Sequence, residues 1–204
     1  MVKIKICGIS RKEDINYINE TKPDYIGFVF AQSRRQVSDS HAMELRKELN
    51  STIKSVGVFV NDDIKRVVEL CNTGIIDMIQ LHGDEGEDYI SKLRTLTLAP
   101  IIKAVRVKCQ RDIYYAMELS CDYLLLDTYK ENQYGGCGET FDWRMVHDIS
   151  KPFFLAGGLH SDNVLQAISQ TNPYGIDVSS GVETDGYKDR EKINTFINKV
   201  RDVK

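Results

Sequence analysis

The chain has 204 residues, with 27 Lys and Arg against 30 Asp and Glu, a formal net charge of −3; this length suits one domain with a sizeable core, and the lack of a basic block interleaved with aromatics argues against a nucleic-acid surface. No apolar run approaches the ~20 residues that span a bilayer, and no apolar leader precedes the first strand. The five cysteines (Cys7, Cys71, Cys109, Cys121 and Cys137) include no C-x-x-C pair, which argues against a disulfide framework or a zinc knuckle, so a cytoplasmic protein with no membrane partner is expected.

Residues Lys3-Ile4-Lys5-Ile6 alternate polar and apolar, the period-2 signature of a strand, and Cys7-Gly8 ends it at a turn. Ser10, with Glu13 three places on, reads as the N-cap and capping box of a helix to about Asn19. Strand two is predicted over 24–30, then a polar loop over 31–38 carries Arg34 and Arg35, and a helix runs from Ser38 or Ser40 to Leu49. Strand three covers 53–60, and Asn61 is placed as the cap of a helix stopping near Asn72-Thr73-Gly74. Strand four (77–81) closes at His82-Gly83, and a helix (85–93), strand five (101–107), a helix (112–119) and strand six (122–127) follow. An irregular stretch, 128–140, holds Gly135-Gly136-Cys137-Gly138 and leads to a short helix predicted over 143–149. Strand seven (152–156) ends in Gly157-Gly158, and Ser161 or Asp162 caps a helix to Ser169. Strand eight (174–178) ends in Ser179-Ser180-Gly181, and a last helix (190–200) sets Ile193, Phe196, Ile197 and Val200 on one face.

Eight β-then-α units of about 25 residues thus follow one another without a linker, and near-continuous apolar strands between amphipathic helices imply a parallel sheet covered by helices. The expected architecture is α/β, a single (β/α)8 TIM barrel domain over residues 1–204. A doubly wound open sheet is the alternative, disfavoured because no G-x-G-x-x-G follows the first strand.

Chemistry in such a barrel sits at the C-terminal ends of the strands and in the loops after them. Read there, the chain offers Cys7, Arg34 and Arg35, Asn61, Gln80 and His82, Arg106, Asp127, Gly157-Gly158 and Ser179-Ser180-Gly181. Cys7 is either a reactive thiol at the barrel mouth or a small buried hydrophobe. Asp127, behind three leucines, is either a general acid or a solvated strand-end carboxylate or cap. His82 is either a ligand contact or a packed histidine, and without a second histidine or carboxylate in a matching position no metal site is expected. The glycines after strands seven and eight suit a phosphate held by backbone N–H groups, although either turn alone is only a turn.

Lys5-Ile6-Cys7-Gly8, Ser33-x-Arg35, Val56-Gly57-Val58-Phe59-Val60-Asn61, Gln80-Leu81-His82-Gly83, Leu126-Asp127, Gly135-Gly136-x-Gly138, Phe141-Asp142-Trp143, Ala156-Gly157-Gly158-Leu159 and Asp177-Val178-Ser179-Ser180-Gly181-Val182-Glu183 occur in this order. Together they resemble the phosphoribosylanthranilate isomerase family over essentially the whole chain. The resemblance implies a (β/α)8 barrel serving tryptophan biosynthesis, which converts N-(5′-phosphoribosyl)anthranilate to 1-(2-carboxyphenylamino)-1-deoxyribulose 5-phosphate, an Amadori rearrangement, without cofactor or metal. By that resemblance Asp127 is the general acid that protonates the ribose ring oxygen, and Cys7, as thiolate, is the general base that takes the C2 proton. A thiolate base at neutral pH calls for a thiol somewhat below its ordinary pKa of ~8.5. Arg35 is expected on the anthranilate carboxylate. Gln80, His82, Gly157, Gly158, Ser180 and Gly181 complete the expected substrate-binding set, with the glycine loops on the 5′-phosphate.

Cys137 and Glu139 depart from the family pattern, which favours a small hydroxyl residue and a basic or amide side chain there. The expected partner is a phosphorylated small molecule, with the chain a monomer or homodimer. A metal-dependent sugar-phosphate epimerase shares the barrel but needs ligands at several strand ends. A non-catalytic phosphate-binding scaffold needs neither a thiol nor a carboxylate at the ends of strands one and six.

Overall fold

Strand β1 (Lys3–Cys7) pairs in parallel with β2 (Tyr25–Val29) on one side and β8 (Gly175–Val178) on the other. Between them the ring runs through β3 (Lys54–Phe59), β4 (Met78–Leu81), β5 (Ile101–Val107), β6 (Tyr123–Thr128) and β7 (Phe153–Leu155), each hydrogen-bonded in parallel to the next, so the sheet closes as an eight-stranded barrel. The computed structural model describes residues 1–128 and 142–202. The glycine-bearing stretch Gly135-Gly136-Cys137-Gly138, Glu139 and Phe141 lie outside the described residues.

The helices that cover the sheet are α1 (Lys12–Thr21), α2 (Asp39–Glu48), α3 (Ile64–Asn72), α4 (Glu87–Arg94), α5 (Gln110–Met117), α6 (Val164–Thr171) and α7 (Arg190–Arg201). Each turns a narrow apolar face inward at helical spacing. Ile15 and Ile18 do so on α1, and Ile193, Phe196, Ile197 and Val200 on α7. These side chains meet the outward residues of the strands, such as Ile4, Ile6, Ile79, Leu81, Leu124, Leu126 and Ile176, in one large core between sheet and helices.

A second, smaller core fills the barrel itself. Val56, Met78, Ile102, Ala104, Leu125, Phe154 and Ala156 point inward, and Tyr25, Tyr123 and Tyr174 pack against them from the N-terminal ends of the strands. Phe154 meets Tyr25 and Tyr174 edge-on, at centroid distances of 5.5 and 5.3 Å. The hydroxyls of Tyr25 and Tyr174 hydrogen-bond at 2.9 Å. Aromatics thus pack the N-terminal end of the barrel interior, and a cavity opens at the C-terminal mouth.

Four local readings of the sequence are corrected. The capping carboxylate of α1 is Asp14, not Glu13: it accepts from the backbone N–H of Ser10 and Arg11 at 3.1 Å each, and Arg11 takes the N-cap place. The N-cap of α3 is Asp63, which accepts from Lys65 N–H, whereas Asn61 lies upstream in the left-handed region. The N-cap of α6 is Asn163, one residue beyond the expected Asp162. The helix expected over 143–149 is a single 3-10 turn, Trp143–Met145, ended by Val146 and by Asp148 at φ +55°. An element that sequence reading did not anticipate follows β8: a 3-10 turn (Ser180–Val182) leads into a hairpin of β9 (Glu183–Thr184) and β10 (Tyr187–Lys188). It is held down by Arg11, whose guanidinium stacks 4.5 Å over Tyr187 and donates to the Lys188 carbonyl.

Candidate active site

Alternation along the strands decides what faces the mouth. On β1 the inward residues are Lys5 and Cys7. β4 and the residue after it supply Gln80 and His82, β6 supplies Asp127, and β8 with its following residue supplies Asp177 and Ser179. A cavity of about 480 Å³ opens there, lined by Cys7, Arg35, Gln80, His82, Asp127, Gly157, Gly158, Asp177, Ser179 and Ser180, with Val29, Ala31, Gln32, Ser33, Val58, Val60, Ala156 and Leu159 as its other walls. The dimension suits a small organic ligand.

Two glycines make room for the reactive candidates. Cys7 pairs across the sheet with Gly27, where a Cβ would lie 2.7 Å from the Cys7 sulfur. Gly157, at φ +82°, lies so close to β6 that a Cβ would meet the Thr128 hydroxyl at 2.3 Å and the Asp127 carboxylate at 3.0 Å. Asp127 accepts from the Thr128 N–H at 2.8 Å, and its other oxygen lies 3.4 Å from His82 Nε2, an ion-pair distance without hydrogen-bond geometry. His82 Nδ1 in turn hydrogen-bonds the Gln80 amide nitrogen at 2.8 Å.

Beneath Cys7, Lys5 is wholly buried and pairs with Asp177 at 2.9 Å. Burial works to neutralise that ammonium, but Asp177 and Cys7 outweigh it and hold Lys5 charged. Among the described residues, three buried polar atoms in this region have no hydrogen-bond partner: Gln80 Oε1, His82 Nε2 and Asp177 Oδ1. Unpaired buried polar atoms carry a desolvation penalty, so the cavity offers a ligand two acceptors and one imidazole nitrogen.

The Cys7 thiol is pushed up from its ordinary value, not down as the sequence reading required. Burial is the dominant cause, with Asp177 adding to it and Lys5 and Lys188 opposing. Arg35 reaches the cavity, but its fork is engaged: Nε and Nη2 donate to the two oxygens of Glu183 at 2.7 and 2.8 Å. Glu183 also holds Lys188 at 2.5 Å, and Lys188 donates to the Ser179 carbonyl at 3.0 Å, while the Ser179 hydroxyl donates to the Cys7 carbonyl. Held by Arg35 and Lys188, with Arg34 also within ion-pair distance, Glu183 lies below the ordinary glutamate value despite its burial.

The expected residues Cys7, Asp127, Arg35, Gln80, His82, Gly157, Gly158 and Ser180 are therefore brought together, whereas Gly181 is absent from the cavity wall. A Cβ there would lie 1.9 Å from the Leu159 carbonyl oxygen, so Gly181 lets the loops after β7 and β8 pack in contact. Other strand-end candidates stay outside: Arg106 pairs with Asp84, Arg34 is largely exposed beside Glu183, and the Asn61 N–H donates to Glu85 at 2.6 Å. Among the described residues no group of three or more His, Cys, Asp or Glu is placed to hold a metal ion, and no helix is long and apolar enough to cross a membrane.

Sequence reading missed Lys5, Asp177, Glu183 and Lys188 as site residues. For Lys5 the signal was present: in a barrel sheathed by helices, the apolar positions of an alternating strand face outward, and the polar ones must line the interior. Glu183 and Lys188 carried no such signal, because two-residue strands are too short to show a period.

A family model described as N-(5'phosphoribosyl)anthranilate (PRA) isomerase matches residues 4–199. An N-(5'-phosphoribosyl)anthranilate isomerase of Endomicrobium trichonymphae is 48% identical over 203 residues, covering 100% of both chains. The crystal structure of phosphoribosyl anthranilate isomerase from Thermotoga maritima superposes with a TM-score of 0.88 at 35% identity, covering 98% of this chain and 99% of that one. A crystal structure of the enzyme in complex with reduced 1-(o-carboxyphenylamino)-1-deoxyribulose 5-phosphate gives 0.85 at 34% identity, with the same coverage. With a thiol, a carboxylate and two glycine loops around one barrel mouth, and a family match over nearly its full length, the chain belongs to the phosphoribosylanthranilate isomerase family.

Proposed function

We propose that the chain isomerises N-(5′-phosphoribosyl)anthranilate to 1-(2-carboxyphenylamino)-1-deoxyribulose 5-phosphate, the Amadori step of tryptophan biosynthesis, with Asp127 as acid and Cys7 as base. The observation that carries this reading is that Cys7 and Asp127 line one cavity from strands three places apart around an eight-membered ring. A substrate carbon skeleton set between them meets an acid on one side and a base on the other.

Asp127 gives a proton to the furanose oxygen, the C1–O bond breaks, and the anilino nitrogen's lone pair forms the C1=N bond of a cationic Schiff base. The Cys7 thiolate takes the C2 proton, and that electron pair neutralises the iminium as an enolamine. Loss of the C2 hydroxyl proton with protonation of C1 gives the ketone, leaving the atom count unchanged. The resting thiol is protonated more than a free one, so its activation rests on positive charge: Lys5, Lys188 and the Schiff base itself.

Hydroxyls of the opened pentose supply the donors that Gln80 Oε1 and Asp177 Oδ1 lack, and His82 Nε2 takes the remaining polar edge. The 5′-phosphate is placed against the loops after β7 and β8, on backbone N–H groups near Gly157, Gly158, Ser180 and Gly181. Arg35 presents to the anthranilate carboxylate the guanidinium nitrogen that Glu183 leaves outside their pair.

Residues 1–204 are taken as a single barrel domain, supported by one closed sheet that uses strands from Lys3 to Val178. A cytoplasmic location fits the free thiols of Cys7, Cys71, Cys109 and Cys121, and the chain is taken as a monomer or homodimer. Complementation tests the function: the gene is expected to restore growth without tryptophan to a strain lacking this isomerase. Failure by a well-expressed, folded protein would overturn the reading.

A further inference from the structure

Lys5 and Asp177 form a buried ion pair at the top of the barrel interior. The β1–β8 register sets the two residues directly opposite each other, and their side chains meet at 2.9 Å beneath the cavity floor. Burying an ion pair seldom stabilises a fold over a well-packed apolar pair of the same volume, and the cluster packed inside the barrel, Val56, Met78, Ile102, Leu125 and Phe154, is apolar. The pair is also lopsided. Asp177 gives one oxygen to Lys5, its other oxygen has no partner among the described residues, and Lys5 stands two residues before Cys7 on the same strand face, about 6.5–7 Å along the backbone.

The charged groups around the Cys7 sulfur can be named element by element. Lys5 comes from β1, Asp177 from β8, Lys188 from β10 with Glu183 of β9 behind it, and Arg35 from the β2–α2 loop. His82 and Asp127 stand across the mouth on the β4 and β6 side. Lys5 is the one cation among them seated on the cysteine's own strand and strand face, and its positive charge favours the thiolate.

We propose that Lys5 is a positioning residue for the isomerisation: its ammonium, anchored by Asp177, holds negative charge on the Cys7 sulfur while C2 loses its proton. Lys5 touches no substrate atom and acts through Cys7. The inference rests on Cys7 being the base, and its test reads the thiol without turnover, so the two can fail separately.

The experiment follows alkylation of the Cys7 peptide by iodoacetamide across pH, by mass spectrometry, which separates Cys7 from the other cysteines. In Lys5→Met the midpoint of reactivity is expected to rise by about one to three pH units, the range by which an opposite charge nearby moves a titrating group. kcat at neutral pH should fall with it, and KM should change far less. Because Lys5→Met strands the Asp177 carboxylate, the double variant Lys5→Met/Asp177→Asn leaves no unpaired charge. Its midpoint should still lie above wild type, by less than in the single variant, since Lys5 acts on the thiol more strongly than Asp177 opposes it. A wild-type or lower midpoint in the folded double variant overturns the proposal, whatever the single variant does. So does a loss of turnover with an unmoved midpoint, which would make Lys5 a packing residue only.

Discussion

Asp127 and Cys7 demand different things of their surroundings. A carboxyl that donates a proton needs to lie beside the leaving oxygen without a permanent cation neutralising it. Among the described residues the basic group that pairs with Asp127 is His82, at 3.4 Å, and no lysine or arginine is paired with it. Asp127→Asn keeps the shape and removes the transferable proton, so kcat should fall by about 10²–10⁴-fold with substrate affinity changed far less. A rise confined to KM would recast Asp127 as a binding residue. The thiol needs positive charge, and because burial holds it above its ordinary value, the thiolate fraction grows with pH through and beyond neutrality. kcat/KM is therefore expected to climb from pH 7 to 9, and a profile flat across that range would contradict a thiolate base. At this scale much was legible: a cysteine before glycine at a strand end and a carboxylate behind three leucines mark themselves. The direction of the thiol's shift was not, because burial and the charges of Lys188 and Asp177 come from segments distant in sequence.

The hairpin of β9 and β10 shows how an element too short to carry a pattern can organise a site. Glu183 links Arg35 of one loop to Lys188 of the hairpin, and Ser179 links Lys188 to the Cys7 carbonyl. Since the folded value of Glu183 is depressed, its contribution to stability is fully present above the unfolded value near 4.5 and is lost as pH falls through the lower folded value. Glu183→Gln should flatten the loss of stability between pH 5 and 3, read as denaturant midpoints at each pH. The same variant loosens the anchor that aims the remaining Arg35 nitrogen at the substrate, so KM is expected to rise about tenfold, the effect of losing that nitrogen's charge-assisted hydrogen bond to the carboxylate. An unchanged KM would detach Arg35 from the substrate. Strands β1 to β8 were legible because their apolar runs are long enough to count, and β5 falls on its expected bounds. Helix starts drifted by one or two residues because Ser, Asp and Asn crowd those turns, and tertiary contacts choose among them.

In the whole molecule, the two cores divide the labour: the outer one joins sheet to helices, and the inner one seals the barrel below the site. Phe154 is the centre of that seal, and Phe154→Ala should cost about 3–5 kcal/mol, lowering Tm by roughly 10 °C or more in a chain this size. A loss under about 1 kcal/mol would mean that the interior is not packed as described. The eight-fold β-then-α rhythm made the barrel readable from the sequence alone, but the inner core was not, because inward and outward apolar residues look alike until closure assigns them. The site inherits its position from that closure, since aromatics fill the N-terminal end of the barrel and the cavity lies at the C-terminal mouth. The central claim is that Cys7 is the base in this mouth, and the direct measurement is turnover of N-(5′-phosphoribosyl)anthranilate by Cys7→Ala alongside wild type, with binding of the reduced product analogue and thermal unfolding followed on the same samples. We expect wild type to isomerise the substrate and Cys7→Ala to lose turnover while it still binds the analogue and unfolds near the wild-type temperature; wild-type turnover in the folded variant would contradict the account.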